Sequence, residues 1–433
     1  MSKLSRRGFI KLAGTAGALS AMGALAWPLG GCQKKAKTGG RVIVVGGGFG
    51  GATCAKYIRK FDPTVEVTLI ERDARFVTCP FSNLFLVGGR SFESISHGYD
   101  KLADNYGIKV IQGAVTDIDA AAKRLTLKGG KTVPYDRLVV SPGIDFRFDA
   151  IEGYDEAACE TVPHAWKGGP QTRILRKQLE AMEDGGVVII APPGNPFRCP
   201  PGPYERASLI AHYLTQNKPK SKILILDAKD KFSKQGLFMQ GWEKRYPGMI
   251  EWVKASAGGK IDRIDMAKQT LYAEFGEAHT GDVINLIPPQ KAGELAHKAG
   301  LVNADGWCPV NQRTFESSVH KDVYVIGDAS IAGQMPKSGY AANSQGKVCA
   351  AAIVSSLSGT AMPDPSYVNT CYSLVAPDYG ISVAAVYNVT DEGIRKVKGS
   401  GGLSPTDASD EFRKKEADYA SGWYASITAD MFS

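Results

Sequence analysis

Three cysteines of this sequence lie where a thiol could do chemistry. Cys199 stands at a predicted strand-to-helix transition, where a helix N-terminus lowers the pKa of a thiol and stabilises its thiolate. Glu205, in the helix that follows, could move a proton to or from this thiol or a substrate. Cys371 lies far downstream, and Cys79 has no cysteine near it in the sequence. The set indicates thiol redox chemistry, although the position of Cys199 taken alone suits a structural cysteine equally well.

A glycine motif follows the first predicted strand, residues 41–45. Gly46, Gly48 and Gly51 have GxGxxG spacing and precede a predicted helix over 52–60. The glycines permit a tight turn and let a pyrophosphate approach the helix N-terminus, so this context strongly indicates a dinucleotide.

An acidic residue closes the next predicted strand, 65–71. Glu71 stands where a carboxylate accepts the ribose hydroxyls of a bound dinucleotide. A carboxylate at this position favours an unphosphorylated ribose, which indicates FAD or NAD rather than NADP.

Two later segments select FAD. The first contains Ser141 and Gly143 and resembles the strand and turn that return over the nucleotide in flavoproteins with two dinucleotide domains. The second contains Gly327 and Asp328 and resembles their second flavin motif, in which an Asp at a strand end hydrogen-bonds the ribitol. The three motifs in this order indicate a flavoprotein.

A second α/β unit begins near Gly185, with predicted strands at 187–191 and 222–227 and a helix over 204–217. After its first strand the chain carries prolines in place of a GxGxxG motif. Proline has no backbone N–H to donate to a phosphate, so the sequence disfavours an NAD(P)H site here. Electrons must then enter from a small reductant and leave by another route.

The first 37 residues predict an export leader and a linker. Arg6 and Arg7 begin a twin-arginine signature, which addresses folded proteins for export to the periplasm. The sequence leaves two cleavage sites open. One is a small-x-small site at 24–26, and the other is a lipoprotein box that ends at Cys32. The second would leave Cys32 lipidated and the protein tethered to a membrane.

Charge and cysteine spacing exclude other classes of function. The net charge is +8, but residues 1–37 hold seven Lys or Arg and no acid, so the remainder carries 8 − 7 = +1 and gives no argument for nucleic acid. The eight cysteines include no CxxC or CxxCH, so we expect no metal site and no covalent haem on this chain. Cys54 and Cys349 are predicted core residues, whereas Cys159 and Cys308 could be free or form a structural disulfide.

Taken together, residues 41–433 resemble the flavoprotein subunits of the flavocytochrome c sulfide dehydrogenase family, the FAD-containing sulfide oxidases of sulfur-oxidising bacteria. The segments that carry the resemblance most specifically are residues 191–208, 285–290, 325–340 and 369–373. The resemblance implies hydrosulfide as the substrate, sulfur or polysulfide as the product, and transfer of single electrons to haem c on a partner cytochrome subunit.

The resemblance also implies roles for individual residues. It implies that Cys199 and Cys371 form a redox-active disulfide over the flavin, with Glu205 as the acid/base. It implies that Cys79 carries a thioether to the flavin 8-methyl carbon, which a single cysteine in this loop suits better than a buried free thiol. We place Lys337 near the flavin pyrimidine edge, where a cation stabilises the reduced flavin.

The expected fold class is α/β, with two Rossmann-like dinucleotide-binding units in a glutathione-reductase-like architecture and a C-terminal α+β domain. We expect strands at 283–287 and 323–326 to return to the first sheet. After the leader, three domains are predicted. An FAD-binding domain has two parts, 38–152 and 283–360, and a second Rossmann-like domain without an NAD site lies between them at 153–282. A C-terminal domain, 361–433, holds Cys371 and the cytochrome interface.

Two other functions remain open at this stage. A sulfide:quinone oxidoreductase shares the architecture, but the strongly charged segment 410–416 is unlike the apolar C-terminal membrane elements usual in such enzymes. An accessory flavoprotein that maintains another sulfur-oxidising system by thiol exchange is the non-catalytic alternative.

Overall fold

The computed structural model describes residues 39–433, so the predicted leader and Cys32 lie outside the described residues. The strands are β1 (Arg41–Val45), β2 (Glu66–Glu71), β3 (Phe76–Val77), β4 (Ser96–His97), β5 (Lys109–Gln112), β6 (Val115–Asp119), β7 (Arg124–Leu127), β8 (Thr132–Pro134), β9 (Arg137–Val140), β10 (Ile144–Phe146), β11 (Val187–Ala191), β12 (Lys222–Leu226), β13 (Ile250–Val253), β14 (Ile261–Asp265), β15 (Thr270–Ala273), β16 (Ala278–Thr280), β17 (Val283–Leu286), β18 (Gln290–Ala292), β19 (Val323–Val325), β20 (Ser366–Ala376), β21 (Tyr379–Thr390) and β22 (Gly393–Lys396).

The α-helices alternate with these strands through most of the chain and close it at the C-terminus. They are α1 (Phe49–Phe61), α2 (Ser82–Leu86), α3 (Asp100–Tyr106), α4 (Pro170–Ala181), α5 (Gly202–Asn217), α6 (Gln235–Arg245), α7 (Glu294–Lys298), α8 (Gly339–Ser358) and α9 (Asp410–Phe432).

The first sheet has the order β19-β9-β1-β2-β5, and all its strands are parallel. Its central strand β1 reads Arg-Val-Ile-Val-Val, and the four apolar residues are buried. A parallel sheet is covered on both faces, which is why this strand is an uninterrupted apolar run. Helices α1 and α8 pack against each other beside it. This sheet confirms the expected nucleotide-binding unit.

The second sheet, β13-β12-β11-β17, is also parallel and confirms the second Rossmann-like unit. One expectation is wrong here. The segments 283–287 and 323–326 were both predicted to return to the first sheet. Strand β19 does join the first sheet, but Val283–Leu286 pairs with β11 in the second. All four residues of β17 are buried, and an apolar run of this kind fits the centre of either parallel sheet.

The C-terminal part confirms the α+β expectation. Strands β20 and β21 form a long antiparallel hairpin, β22 extends it, and α9 packs against both long strands. Strand β20, which carries Cys371, also packs against α5, α6 and α8, so it reaches the helices that begin near Cys199 and Lys337. Among residues 39–433, no helix has both the length and the apolar character needed to cross a bilayer.

Candidate functional site

The loop between β1 and α1 has the backbone of a pyrophosphate cradle. Gly46 has a φ of +97°, and a Cβ on Gly51 would lie 1.8 Å from the Gly46 carbonyl oxygen. Within the described chain, no side chain caps α1, whose N-cap residue is Gly48. The first N–H groups of the helix are therefore available to an anion, as the sequence motif predicts.

Glu71 braces this loop. One of its carboxylate oxygens accepts the Gly47 N–H at 2.6 Å, and the other accepts the Asp73 N–H at 3.1 Å. Ser141 lies directly across the loop, because a Cβ on Gly46 would approach its carbonyl oxygen to 2.2 Å. The structure thus brings Glu71 and Ser141 to the predicted cradle.

The second flavin motif lies at the end of β19. Gly327 has a φ of +78°, and its N–H donates to Gln345 Oε1 at 2.8 Å. Asp328 Oδ1 is buried and has no hydrogen-bond partner among residues 39–433, and burial raises the pKa of this carboxyl group. A buried carboxylate oxygen without a partner is costly, so the site calls for a hydroxyl donor. The unpaired Asp328 oxygen and the N–H groups of the cradle together fit FAD.

Lys337 adjoins this motif. Its ammonium donates to the carbonyl oxygens of Asp328 at 2.6 Å and Ser330 at 3.1 Å, and it lies 3.7 Å from the centre of the Trp307 ring. Burial lowers the pKa of Lys337 to about 8, although Asp328 acts in the opposite direction. The Lys337 carbonyl oxygen accepts the Cys199 N–H at 2.8 Å, which joins the flavin motif to the cysteine site.

Arg198 precedes Cys199 in the sequence and contacts Cys79. The Arg198 guanidinium is 3.2 Å from Cys79 Sγ and also donates to the Trp166 carbonyl oxygen. Cys79 Sγ lies 3.2 Å from that same oxygen. The loop that carries Cys79 is thereby held against the segment that carries Cys199.

Gly143, the other glycine predicted to bind the flavin here, lies at the turn after β9 and has a φ of +66°.

The pKa of Cys199 differs from the sequence expectation. It is raised well above the ordinary value, first by burial and then by Cys371, Glu205 and Cys79. The expected lowering is therefore wrong, because burial and these three groups raise the pKa by more than Arg198 lowers it. The same interactions show that the three cysteines and Glu205 converge on one place. Both Cys199 and Cys371 are free thiols in this structure.

Glu205 joins the elements of the site. One carboxylate oxygen accepts the Leu374 N–H at 2.9 Å, and the other accepts the Asn83 side-chain amide at 2.8 Å. Burial raises the pKa of Glu205 despite both hydrogen bonds. The carboxylate therefore connects α5 with α2, just after Cys79, and with β20, just after Cys371, and its raised pKa suits proton transfer.

A buried lysine that the sequence analysis missed completes the site. Lys234 donates to Ser373 Oγ at 2.8 Å, on the strand that carries Cys371. Burial raises the pKa of Cys371, whereas the Lys234 charge lowers it. Lys234 ends a charged run that begins at Lys229, which reads as a solvated loop, so no sequence signal marked it. Arg198 was marked only by its position next to Cys199.

In the second Rossmann-like unit, the acidic residue at the end of β12 is engaged by neighbouring side chains. At the end of β12, Asp227 accepts hydrogen bonds from Tyr204 at 2.5 Å, Lys229 at 2.6 Å and Trp252 at 3.0 Å. The Tyr204 ring stacks on Phe232 with 3.7 Å between centroids. A carboxylate at this strand end is where a nicotinamide cofactor's ribose would bind, and here it is fully engaged.

The other described cysteines are buried, and Cys308 adjoins the second flavin motif, because its N–H donates to the Ala329 carbonyl oxygen at 2.9 Å. Cys54 and Cys349 are buried in the core, as predicted. Cys159 and Cys308 are both free and lie in different core clusters, so they do not form the disulfide that the sequence left open. Within residues 39–433, no group of three or more His, Cys, Asp or Glu side chains is placed to hold a metal ion.

Three family models match this chain. The central domain of the sulfide dehydrogenase (flavocytochrome c) flavoprotein chain matches residues 172–288. The flavin-binding domain of flavocytochrome c sulphide dehydrogenase matches residues 363–432. The pyridine nucleotide-disulphide oxidoreductase family matches residues 40–173.

Individual relatives agree with these matches. The sulfide dehydrogenase (flavocytochrome c) flavoprotein chain of Chlorobaculum thiosulfatiphilum is 70% identical over 43 residues, which are 10% of this chain and 90% of that sequence. The mitochondrial sulfide:quinone oxidoreductase of Mus musculus is 23% identical over 318 residues, 68% of this chain and 66% of that protein. The match therefore spans about two thirds of the mouse relative's length.

A solved structure confirms the fold. The sulfide:quinone oxidoreductase of Aquifex aeolicus superposes with a TM-score of 0.68 at 19% identity, over 90% of this chain and 92% of that one. At this identity the likeness concerns the fold alone.

Proposed function

The chain belongs to the flavoprotein chains of flavocytochrome c sulfide dehydrogenase, a family of FAD-dependent sulfide oxidoreductases, and from this premise we propose its reaction. It oxidises hydrosulfide to sulfur or polysulfide and passes single electrons to haem c on a partner cytochrome subunit. The observation that carries the proposal is the convergence of Cys199, Cys371 and Glu205 next to the FAD motif that ends in Asp328.

A Cys199–Cys371 disulfide is the proposed acceptor of the substrate's electrons. Hydrosulfide attacks one sulfur, a new S–S bond forms, the old one breaks, and one cysteine leaves as a thiolate. Glu205 is the proposed group that exchanges the proton of the incoming sulfur, and burial raises its pKa. When bound, FAD would supply two-electron uptake and one-electron release.

Residues of this chain are also proposed to bind the FAD. Cys79 is proposed as its covalent attachment point, and the Arg198 guanidinium lies 3.2 Å from Cys79 Sγ. Lys337 is proposed to lie at the pyrimidine edge. The residues proposed to hold the nucleotide and ribitol are Gly46, Gly48, Gly51, Glu71, Ser141, Gly143, Gly327 and Asp328.

We place the protein in the periplasm, on the strength of the twin-arginine signature at Arg6 and Arg7. A c-type cytochrome is the proposed electron acceptor, because the Asp227 carboxylate at the end of β12 is engaged within the protein and the family is named for a flavocytochrome. Lipidation of Cys32 is a separate proposal, which the mass of the mature N-terminal peptide decides.

A second candidate is sulfide oxidation with quinone as the acceptor. It is favoured by the relative from mouse, whose name is sulfide:quinone oxidoreductase and which matches across 318 residues. Both candidates share the sulfide half-reaction and differ in where the electrons go.

Anaerobic sulfide titration of the flavin-loaded protein tests both proposals. Bleaching of the flavin absorbance by about one sulfide per flavin, followed by haem reduction on adding a c-type cytochrome subunit, supports the main proposal. Reoxidation by a soluble quinone, with no electron transfer to cytochrome c, supports the second candidate instead. An intact flavin that sulfide does not bleach contradicts both.

A further inference from the structure

Lys234 is an ammonium group buried beside the strand that carries Cys371. The residue precedes α6, is 5% exposed and has a φ of +61°. Its ammonium donates to Ser373 Oγ at 2.8 Å and approaches the Cys371 carbonyl oxygen to 3.4 Å. Lysine is seldom buried to this extent unless it has a counter-charge, so the acidic groups around it decide its role.

Burial lowers the pKa of Lys234, whereas two cysteines and two carboxylates near it raise the pKa, and both carboxylates have other partners. Glu416, on α9, accepts hydrogen bonds from Ser382 and Ser404 and pairs with Arg413 at 3.2 Å. Glu205, on α5, accepts from Leu374 and Asn83.

The two cysteines facing Lys234 have unequal surroundings. Burial raises the pKa of Cys371, Lys234 lowers it and Glu205 raises it again, while Tyr387 faces it from β21. Burial also raises the pKa of Cys199, and Cys371, Glu205 and Cys79 add to that effect. Arg198 lowers the pKa of Cys199 less than these groups raise it.

Arg198, the cation next to Cys199, contacts other groups. The Arg198 guanidinium is 3.2 Å from Cys79 Sγ and donates to the Trp166 carbonyl oxygen. Lys234, in contrast, is anchored on the strand of Cys371 itself through Ser373. A negative charge on the pair is therefore better stabilised on Cys371 than on Cys199.

We propose that Lys234 is a positioning residue that makes Cys371 the leaving thiolate when the disulfide opens, so that the substrate sulfur is transferred to Cys199. This inference rests on the proposed function. A lone pair of hydrosulfide forms the new bond to Cys199 Sγ, and the Cys199–Cys371 bond breaks. Its electron pair leaves with Cys371 Sγ, next to the ammonium, and Cys199 becomes a persulfide. The disulfide is the oxidant, so the step needs no other.

The leaving group decides the direction of such an exchange. Thiol–disulfide exchange is faster when the departing thiol has the lower pKa. An opposite charge within about 4–6 Å lowers an acid's pKa by about one to three units, which is enough to select one of two otherwise similar sulfurs.

The first test measures the thiols without turnover. The flavin-loaded protein is reduced with dithiothreitol and alkylated with iodoacetamide over a pH series, and the Cys199 and Cys371 peptides are quantified by mass spectrometry. In the parent protein Cys371 reacts at lower pH than Cys199. Lys234→Met raises the Cys371 midpoint by about one pH unit or more, while Lys234→Arg largely restores it. Lys231→Met, an exposed lysine of the same loop, is the matched control and leaves both midpoints unchanged.

Ser373→Ala provides a second variant should Lys234→Met fold poorly. It removes the 2.8 Å anchor but keeps the ammonium, so it raises the Cys371 midpoint by a smaller amount. An unchanged Cys371 midpoint in folded Lys234→Met, or in Ser373→Ala where Lys234→Met is unfolded, overturns the assignment of Lys234.

The second test locates the transferred sulfur. The oxidised protein receives less than one equivalent of sulfide without cytochrome, is alkylated at once and is digested. A persulfide on Cys199 supports the proposal, and one on Cys371 overturns it. If sulfide neither bleaches the flavin nor forms any persulfide, the proposed function fails, and the alkylation series still decides whether Lys234 acts on Cys371.

Discussion

The Glu205 carboxylate accepts the backbone N–H of Leu374 at 2.9 Å, and this bond ties the helix that follows Cys199 to the strand that carries Cys371. The two cysteines are far apart in sequence, so their approach depends on contacts of this kind. The second carboxylate oxygen accepts from Asn83, in the helix that follows Cys79. One acidic side chain thus holds three separate cysteine-bearing segments at the same site.

Replacing Glu205 by Gln separates its charge from its shape. We expect the sulfide-dependent rate of flavin bleaching to fall about 10²–10⁴-fold, the usual contribution of a positioned acid/base. The amide has one acceptor oxygen, so it cannot satisfy both Leu374 and Asn83, and a modest fall in melting temperature should accompany the loss. Stopped-flow absorbance measures the rate. Glu411→Gln, an exposed residue of α9, is the control, and equal rates in both variants would remove Glu205 from the mechanism.

Replacing either cysteine of the proposed disulfide should stop the reaction without removing the flavin. Cys199→Ser and Cys371→Ser are each expected to abolish bleaching by sulfide, because hydroxyls cannot form the bond that hydrosulfide attacks. Chemical reduction by dithionite should still bleach the flavin in both. Cys159→Ser, at a free buried cysteine in another core cluster, should retain the parent rate. Full sulfide turnover in both site variants would sink the disulfide mechanism.

Local signals in the sequence predicted much of the fold. The strands at 41–45 and 187–191 have the predicted bounds, because each is a short, mostly apolar run bounded by glycine or proline. The strand at 283–286 was assigned to the wrong sheet, since burial on both faces is the same in either sheet. Sheet membership depends on long-range pairing, which periodicity does not encode.

The candidate site was predictable only in part. Residues that sit in motifs, such as Cys199 and Asp328, could be identified from their neighbours in sequence. Lys234 could not, because its role comes from burial against β20, whereas its sequence context is a charged loop. The raised pKa of Cys199 was missed for the same reason, since the groups that raise it arrive from distant segments.

Gly51→Ala should remove flavin binding. A Cβ at this position would lie 1.8 Å from the Gly46 carbonyl oxygen, so the cradle must open to accept it. We expect flavin content, measured from the absorbance ratio of purified protein, to fall to a small fraction of the parent value. Gly236→Ala in α6 is the matched control, because no described atom lies within 4 Å of its added methyl group. Normal flavin content in Gly51→Ala would show that this loop does not bind the cofactor.

His164 should make the protein less stable in acid. Burial, with Lys167 and Arg206 nearby, lowers its pKa from 6.5 to about 3, so the folded state keeps it neutral where the unfolded state protonates it. The unfolded state then binds more protons, and the free energy of unfolding should fall by about 2 kcal/mol from pH 7.5 to pH 5 through this group.

Denaturant unfolding at the two pH values measures this effect. His164→Asn keeps an acceptor for the Trp166 N–H, which His164 Nδ1 accepts at 3.0 Å, and it should lose this part of the pH dependence. His320→Asn, outside the site, should keep it. The same pH dependence in all three proteins would rule out His164 as the cause.

Cys79→Ser should release the flavin from covalent attachment while leaving it bound. The hydroxyl is a far weaker nucleophile than a thiolate, but the cradle at Gly46–Gly51 and the Asp328 carboxylate are unchanged, so the FAD should remain with the native protein. In the parent protein, flavin fluorescence should stay with the polypeptide on a denaturing gel; in the variant it should be lost. Cys159→Ser, at a buried free cysteine in a separate core cluster, controls for general damage and should keep the fluorescence. Fluorescence that stays with the Cys79→Ser polypeptide would place the attachment at another residue, and fluorescence absent from the parent protein would mean that the FAD is held by the cradle alone.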